Sequence, residues 1–363
     1  IDIPEAIVGS DTLLPHLIYA DLSNNQNGTK LLRLTTSALD ITIEGDYYPS
    51  QLPKLAMYWS KFFKKRLNDE LFFDDEGKAL NKQTQFENHD FKLVAQLKNL
   101  NYVKAYFPDT PNFYSQAKIT SNISANNNRL LFNVDIYDKL LSFNDKRADS
   151  VRAQLTGSFR HDERIRDFSG FELQTNIERL TSNMFEAEGF ELLASLNRDS
   201  LTISQNIKRI GNDVSFNMEG TAVIQDTSVT MNIDKFKLGS DFYNWVNRAT
   251  PSLTFTDKKE WIVKDFIFES EQQYLNVEGI FSDNVTDSVN YLIRGVDLGK
   301  ISDIIRGAIS FSGNLNGTFT TRSLSTIPSI EGLIDLQRFA MSGNVVGDLE
   351  ISSNFNNPLN RFD

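Results

Sequence analysis

The chain has 363 residues, a net charge of −11 at pH 7 and no cysteine. The acidic balance argues against nucleic acid and against general adsorption to anionic lipid, because both partners require a basic surface. The lack of cysteine excludes a disulfide framework, a zinc–thiolate site and a thiol nucleophile.

No run of 18 apolar residues occurs, so the sequence predicts no helix that spans a bilayer. The chain begins at Ile1 without a basic and then apolar leader. We therefore expect it to be a piece of a longer protein whose signal or anchor lies outside it.

Residues 1–90 are predicted to combine strands with an amphipathic helix at residues 50–68. The apolar segment from Ile1 to Leu22 gives no clear assignment. Alternating Leu and Ile residues between 32 and 43 predict a hairpin that ends at Glu44-Gly45. A helical period follows Pro53, and proline is well placed in a first helical turn.

The predicted helix has an apolar stripe and a run of basic residues with no acid among residues 54–67. It could rest on a membrane surface or a partner protein. It could instead pack across the sheet with its stripe buried and its lysines in water. We favour packing, because acidic residues follow at once. The residues concerned are Trp59, Phe62, Phe63, Lys64 and Lys65.

From residue 91 onward, apolar and polar residues alternate in segments separated by Asp, Asn, Ser, Gly and Pro. A strict period of two predicts strands with one apolar face and one wet face. A helical interruption at residues 299–306 and an irregular piece around Trp245 break the series. We predict a repetitive antiparallel β segment over residues 91–363 that continues beyond the C-terminus.

A short signature recurs in these strands: an apolar residue, then Glu, then Gly. It ends at Gly45, Gly220, Gly279 and Gly332. Glycine inside a strand usually marks a bulge or a sharp bend. Its recurrence predicts strands that curve as a set, and it favours an open-ended array over a closed globule.

The last third of the chain resembles the TamB-like proteins of the AsmA-like superfamily in Gram-negative bacteria. The resemblance is carried by VEGIFSDNVTDSVNYLIRGVDLGKISDII, then FSGNLNGTFT, then SIEGLIDLQRFAMSGNVVGDLEISSNF. The segment FKLVAQLKNLNYVKAYFPD, at residues 91–109, is similar as well.

This resemblance implies a mostly β fold with a few short helices, in which an elongated antiparallel sheet curls into a U-shaped apolar trough (a β-taco, or repeating β-groove). It also implies a periplasm-spanning conduit for phospholipid transport between inner and outer membrane, with a role in outer-membrane assembly. The implied partners are phospholipid acyl chains, an outer-membrane TamA-type barrel or related assembly machinery, and the inner membrane through a segment outside this chain.

In this interpretation, apolar residues at alternating positions line the trough. Alternation alone would favour the closed core of a sandwich or barrel, where facing sheets bury each other, and the resemblance reverses that preference. The expected lining residues are Leu93, Leu97, Phe132, Val134, Ile136, Leu155, Phe159, Phe216, Met218, Met231, Ile233, Phe266, Phe268, Val277, Phe281, Tyr291, Ile293, Phe311, Leu315, Phe319, Ile334, Leu336, Leu349, Ile351 and Phe355.

The residues give little support for catalysis, and we expect no enzyme activity, no metal and no cofactor. His16, His89 and His161 lie far apart without the spacing of metal ligands. The pairs Asp74-Asp75 and Asp283/Asp287 lack the regular ligand spacing of a calcium loop. No nucleophile elbow, phosphate-binding loop or dinucleotide fingerprint occurs.

Two binding functions of another class stay open. A structural or chaperone-like scaffold could receive outer-membrane protein strands at its sheet edges by β-augmentation. A polysaccharide-binding sandwich would need exposed aromatic residues on one patch, which the tryptophans at 59, 245 and 261 do not suggest.

Overall fold

The structure is a computed structural model, and it describes residues 2–3, 6–8, 11–13, 16–24, 28–71, 86–98, 113–160, 169–183, 185–211, 213–240, 243–282, 284, 286–304, 310–322, 329–356 and 361–362. Antiparallel strands dominate this part of the chain, together with two helices. The predicted fold class, mostly β and antiparallel with a few short helices, is confirmed. The chain divides into two compact units. The first takes in Ile1–Glu70, Asp74–Ser182 and Gly189–Asp199, and the second takes in Leu71–Phe73, Asn183–Glu188 and Ser200–Asp363.

The first unit contains one helix and most of the N-terminal strands. They are β1 Asp2–Ile3, β2 Ala6–Val8, β3 Asp11–Leu13, β4 His16–Leu17, β5 Tyr19–Asn24, β6 Lys30–Thr35, β7 Leu39–Asp46, α1 Leu52–Leu71, β8 His89–Leu97, β9 Phe113–Tyr114, β10 Lys118–Ala125, β11 Arg129–Phe143, β12 Lys146–Arg160 and β13 Ser169–Thr181. Strand β14, Glu186–Asn197, is divided between the units.

Antiparallel pairing joins the strands of the first unit in the order β5, β6, β7, β8, β10, β11, β12 and β13. The predicted hairpin is present as β6 and β7. It does not end at Glu44-Gly45, however, because β7 runs on to Asp46 and pairs Gly45 with Phe91 of β8. Strand β8 thereby joins the N-terminal strands to those after residue 113.

The second unit begins its strand series after β14. Its elements are β15 Ser200–Ile210, β16 Val214–Ile224, β17 Ser228–Ser240, β18 Tyr243–Asn247, β19 Ser252–Thr256, β20 Trp261–Ser270, β21 Gln273–Phe281, β22 Ser288–Asp297, α2 Leu298–Ile304, β23 Phe311–Arg322, β24 Ser329–Met341, β25 Asn344–Asn356 and β26 Arg361–Phe362. From β19 on, each strand pairs with the next along the chain.

The sequence predicted two interruptions of this series, and the structure contains only one of them. The segment around Trp245 is not irregular: it forms β18, which pairs with both β17 and β20. The helical interruption is present as α2, one residue earlier than predicted. Asp297 sets its start, since its Oδ1 accepts a hydrogen bond from the Gly299 N–H at 2.9 Å, as an N-cap residue does.

Strands β20, β22 and β24 each contain a bulge. The residues with left-handed backbone there are Asp265 (φ 54°), Gly295 (φ 60°) and Arg338 (φ 51°). Neighbouring side chains accept the displaced N–H groups: Asn316 Oδ1 from Gly295 at 2.7 Å, and Asp348 Oδ1 from Arg338 at 2.7 Å. Each bulge bends its strand and increases the local twist.

Three of the four glycines in the recurring signature share a conformation, while Gly220 is not among the glycines with positive φ. Gly45, Gly279 and Gly332 have φ values of 151°, 145° and 144°, a region that is nearly closed to other residues. A β-carbon at Gly279 would overlap the carbonyl oxygen of Ser288 and lie 2.8 Å from Cα of Val289. At these points the neighbouring strand therefore approaches too closely for any side chain.

Candidate functional site

The apolar residues of the first unit lie on one face of its sheet. The register pairs Ile43 with Leu93, Val134 with Leu155, and Phe132 with Gly157. Directly paired residues project to the same side, and every second residue follows them. We call this side the first apolar face. It carries the predicted residues Leu93, Leu97, Phe132, Val134, Ile136, Leu155 and Phe159.

The second unit has a corresponding face, which we call the second apolar face. The register links Phe266 to Val277, Val277 to Tyr291, and Tyr291 to Phe319. Neighbouring cross-strand rows belong to the same face. They contain the predicted residues Phe216, Met218, Met231, Ile233, Phe268, Phe281, Ile293, Leu315, Ile334, Leu336, Leu349 and Ile351. Phe311 lies beyond a register shift and stacks with Phe339 at 6.2 Å, while the side chain of Phe355 lies outside the described part.

Bulges keep apolar residues on this face where uninterrupted alternation would place them on the opposite side of the sheet. Val263 pairs with Gly279 and Phe266 pairs with Val277, so Lys264 and Asp265 of β20 lie opposite the single residue Glu278 of β21. The extra residue, near Asp265, brings Phe266 back to the side of Val263. Sequence reasoning missed this device, and the skipped step in the apolar pattern between Val263 and Phe266 was the available signal.

Most predicted lining residues are only half-buried. Among those whose side chains the structure describes, Phe159 and Phe268 are buried, with 4% and 8% of their surface exposed. Phe311 and Ile351 are exposed at 41% and 49%, and the others lie between these classes. The core of a closed sandwich would bury such residues against a facing sheet. The exposure therefore favours faces that are only partly covered.

Aromatic rings occur in groups on both faces. On the first, Phe132 stacks with Phe159 at 5.6 Å between ring centroids. On the second, Phe236 meets Phe268 edge to face at 4.7 Å, and Tyr291 stacks with Phe319 at 4.6 Å. Such pairs add about 0.5–1.5 kcal/mol each beyond their buried area. They fix parts of an apolar surface, and the one hydroxyl among these three pairs, that of Tyr291, accepts a hydrogen bond from Thr321 Oγ1 at 3.5 Å.

Helix α1 packs on the first apolar face. Leu55, Trp59 and Phe62 of its stripe are buried, and the Phe63 ring meets the Phe159 ring at 4.8 Å. Lys64 is exposed, and Lys65 is half-buried. This arrangement agrees with the packed interpretation of the helix. Trp59 and Phe62 could reach a membrane only if the helix left the sheet.

The N-terminal end of α1 adjoins a buried histidine. His89 is 1% exposed, and its Nδ1 accepts a hydrogen bond from the Tyr48 N–H at 3.4 Å. Its Nε2 lies 3.3 Å from Gln51 Oε1, which fits a neutral ring with the proton on Nε2. Burial lowers the pKa of His89, so the ring is neutral at pH 7.

The opposite side of the first sheet is polar. It contains a shallow hollow of about 650 Å³ over β10–β13. Its groups largely engage one another: Gln154 Nε2 donates to Asp135 Oδ1 at 2.9 Å, and Arg152 lies 5.7 Å from the Tyr137 ring centroid. Mixed charges and exposed side chains are typical of a solvated outer face.

Within the described residues, no group of His, Cys, Asp and Glu side chains could hold a metal ion. In the same part of the chain, no helix is both long and apolar enough to cross a membrane. The candidate positions Asp74, Asp75, Asp283 and His161 lie outside the described residues, as does the side chain of His16.

Comparison with known proteins found no matching family model, no matching curated protein and no matching solved structure.

Proposed function

We propose that this chain is part of a hydrophobic conduit that carries phospholipids between the inner and outer membranes of a Gram-negative cell envelope. Acyl chains bind the two apolar faces, and headgroups stay in water. The observation that carries the proposal is the register, which places the alternating apolar residues of successive strands on one side while leaving most of them half-exposed.

The energetics of acyl chains fit such a surface. Each buried methylene is stabilised by about 0.8 kcal/mol, so two sixteen-carbon tails in water would cost roughly 25 kcal/mol. A route through water must therefore cover the tails throughout. On β11, every second residue from Leu130 to Ile136 is apolar and projects to this face. At about 3.4 Å per residue, these side chains make an apolar band roughly 20 Å long.

The apolar contacts that the two faces offer support transport rather than tight capture. A strong hydrogen bond or ion pair to one headgroup would hold the lipid in place, whereas apolar contacts are non-directional. The neighbouring rows of Leu, Ile, Val and Phe offer similar contacts at each strand. The periplasmic location and the outer-membrane assembly partner rest on the resemblance of residues 275–357 to TamB-like proteins. No catalytic step belongs to this proposal.

A test uses local lipid photolabelling with a matched pair of variants. A photoactivatable amino acid replaces Leu349, and the purified chain is incubated with phospholipid vesicles. Ile351→Glu places a charge on the second apolar face at an exposed position, so its effect on folding is small. Ser352→Glu places the same charge on the opposite side of β25.

We expect Ile351→Glu to abolish lipid adducts at position 349 and Ser352→Glu to leave them unchanged. Circular dichroism confirms that both variants fold. Equal labelling in all three proteins would overturn the proposal. Adducts to nascent outer-membrane protein strands instead of lipid would favour the scaffold function.

A further inference from the structure

The first apolar face is covered unevenly, and the cover is α1. Ile43, Phe91 and Phe159 are buried, with 8%, 8% and 4% of their surface exposed. Val134 and Leu155, on the same face, are only half-buried. The helix contributes to this burial: Leu52 packs against the cluster of Ile43, Tyr47 and Phe91, and Phe63 packs against Phe159.

The apolar stripe of α1 makes the same kind of apolar contact with the sheet that an acyl chain would make. Trp59, Phe62 and Phe63 form a contiguous aromatic group, with ring centroids 5.1 Å apart for Trp59 and Phe62 and 5.4 Å apart for Phe62 and Phe63. This group lies over Phe159, which stacks on Phe132. The helix therefore occupies apolar surface that the proposed function assigns to lipid.

Two of the polar contacts that hold α1 on the sheet are hydrogen bonds between neutral groups. Trp59 Nε1 donates to the Asn126 carbonyl oxygen at 3.1 Å, and the Tyr58 hydroxyl donates to the Asn127 carbonyl oxygen at 3.1 Å. Both acceptors lie in the turn between β10 and β11. Such bonds contribute only about 1 kcal/mol each, since water replaces them on release. The buried stripe of Leu55, Trp59 and Phe62 adds apolar contact, which a lipid tail can replace.

The outer side of α1 suits a lipid surface. Lys54, Lys61 and Lys64 are exposed, and the acidic residues of the helix, Asp69 and Glu70, lie only in its last turn. A helix with an apolar stripe and a basic face lies stably at the interface of an anionic bilayer. Its two possible positions, on the sheet and on the bilayer, bury the same stripe.

We infer that α1 is a displaceable cover of the first apolar face, which competes with phospholipid acyl chains for Phe132 and Phe159 and is released by anionic phospholipid. This inference rests on the proposed function and assigns regulation to one part of the same surface. A ligand shifts such an equilibrium only through its different affinity for the two states. Acyl chains bind the uncovered state, and anionic headgroups bind the released helix.

The chain offers a clean test because it has no native cysteine. Tyr58→Cys and Asn127→Cys place thiols on the helix and on the β10–β11 turn, and a short bifunctional reagent with a cleavable disulfide joins them. Photoactivatable residues at position 132 and, separately, at position 349 report lipid on the first and second faces. Vesicles contain anionic phospholipid.

We expect the joined protein to lose lipid adducts at position 132 and to regain them when a reductant cleaves the link. Adducts at position 349 should not change. The same two-cysteine chain treated with a monofunctional reagent is the control, and it should label at both positions. A second variant, Trp59→Ala, should raise labelling at position 132 if the helix is a cover.

The experiment distinguishes a failure of the cover inference from a failure of the conduit proposal. Unchanged labelling at position 132 in the joined protein would refute the cover and leave the conduit proposal standing. Absence of lipid adducts at both positions in every form would refute the conduit itself. Lower labelling at position 132 in Trp59→Ala, with the fold intact, would show that the helix forms part of the lipid site and would also overturn the cover.

Discussion

The close approach of strands at Gly279 leads to a quantitative prediction for Gly279→Ala. The backbone φ of 145° lies in a region that costs about 1–3 kcal/mol for a residue with a side chain. The new methyl group would also overlap the Ser288 carbonyl oxygen and lie 2.8 Å from Cα of Val289. Relief of that overlap requires β21 and β22 to move apart, at a further cost of about 1–3 kcal/mol. We expect a total loss of about 2–6 kcal/mol, a large part of an ordinary stability.

The assay is urea unfolding followed by the fluorescence of Trp245 and Trp261, which belong to the second unit, in a Trp59→Phe background. Gly343→Ala is the control: Gly343 has φ 79°, but a methyl group there would meet no atom within 4 Å. It should cost about 1 kcal/mol. Equal unfolding midpoints for the two variants would refute the argument from close approach.

Further predictions concern the buried histidine, a bulge and a helix cap. Because burial lowers the pKa of His89 below its ordinary value of 6.5, its contribution to stability is complete above that pH and declines as the pH falls below it. The melting temperature of the first unit should therefore fall between about pH 7 and pH 5, and His89→Gln should flatten that fall; an unchanged slope would contradict the reasoning. Asn316→Ala leaves the Gly295 N–H without its acceptor and should cost about 1–3 kcal/mol in urea unfolding, whereas the exposed Thr318→Ala should cost much less. Asp297→Ala removes the cap of α2 and should cost about 1 kcal/mol, with rescue by Asp297→Asn.

Period-two alternation was sufficient to predict many of the strands after residue 91. Val134 and Leu155 lie opposite each other because both belong to such patterns, and a slip of one residue would turn either strand over. The helical period of residues 54–67 likewise predicted α1. These features depend on local patterns, which a single sequence displays directly.

The departures from regular alternation depend on neighbouring strands. The bulge near Asp265 exists because β21 supplies one residue, Glu278, opposite two of β20. The short strand β18 around Trp245 is stabilised by pairing with β17 and β20, so its own residues gave no sign of it. The glycine signature predicted a special conformation at Gly279, but the register was needed to identify Ser288 as its close neighbour.

The period of two predicts which residues of one strand share a side, but it does not predict how exposed they are. Burial is set by what lies opposite a residue, and Phe159 is buried because Phe63 packs on it. Phe132 and Val134 lie on the neighbouring strand β11 and belong to the same kind of alternating pattern, yet they remain half-buried. The sequence therefore predicted which side is apolar, while the structure was needed to show where α1 covers it.

The most direct test of the conduit is a photolabelling scan along β23. A photoactivatable amino acid replaces each residue from Leu315 to Thr320 in turn except the buried Gly317, in the presence of phospholipid vesicles. We expect lipid adducts at 315 and 319, because these residues share the second apolar face. Positions 316, 318 and 320 should give none. Equal labelling on both sides of the strand, or no lipid at Phe319, would contradict it.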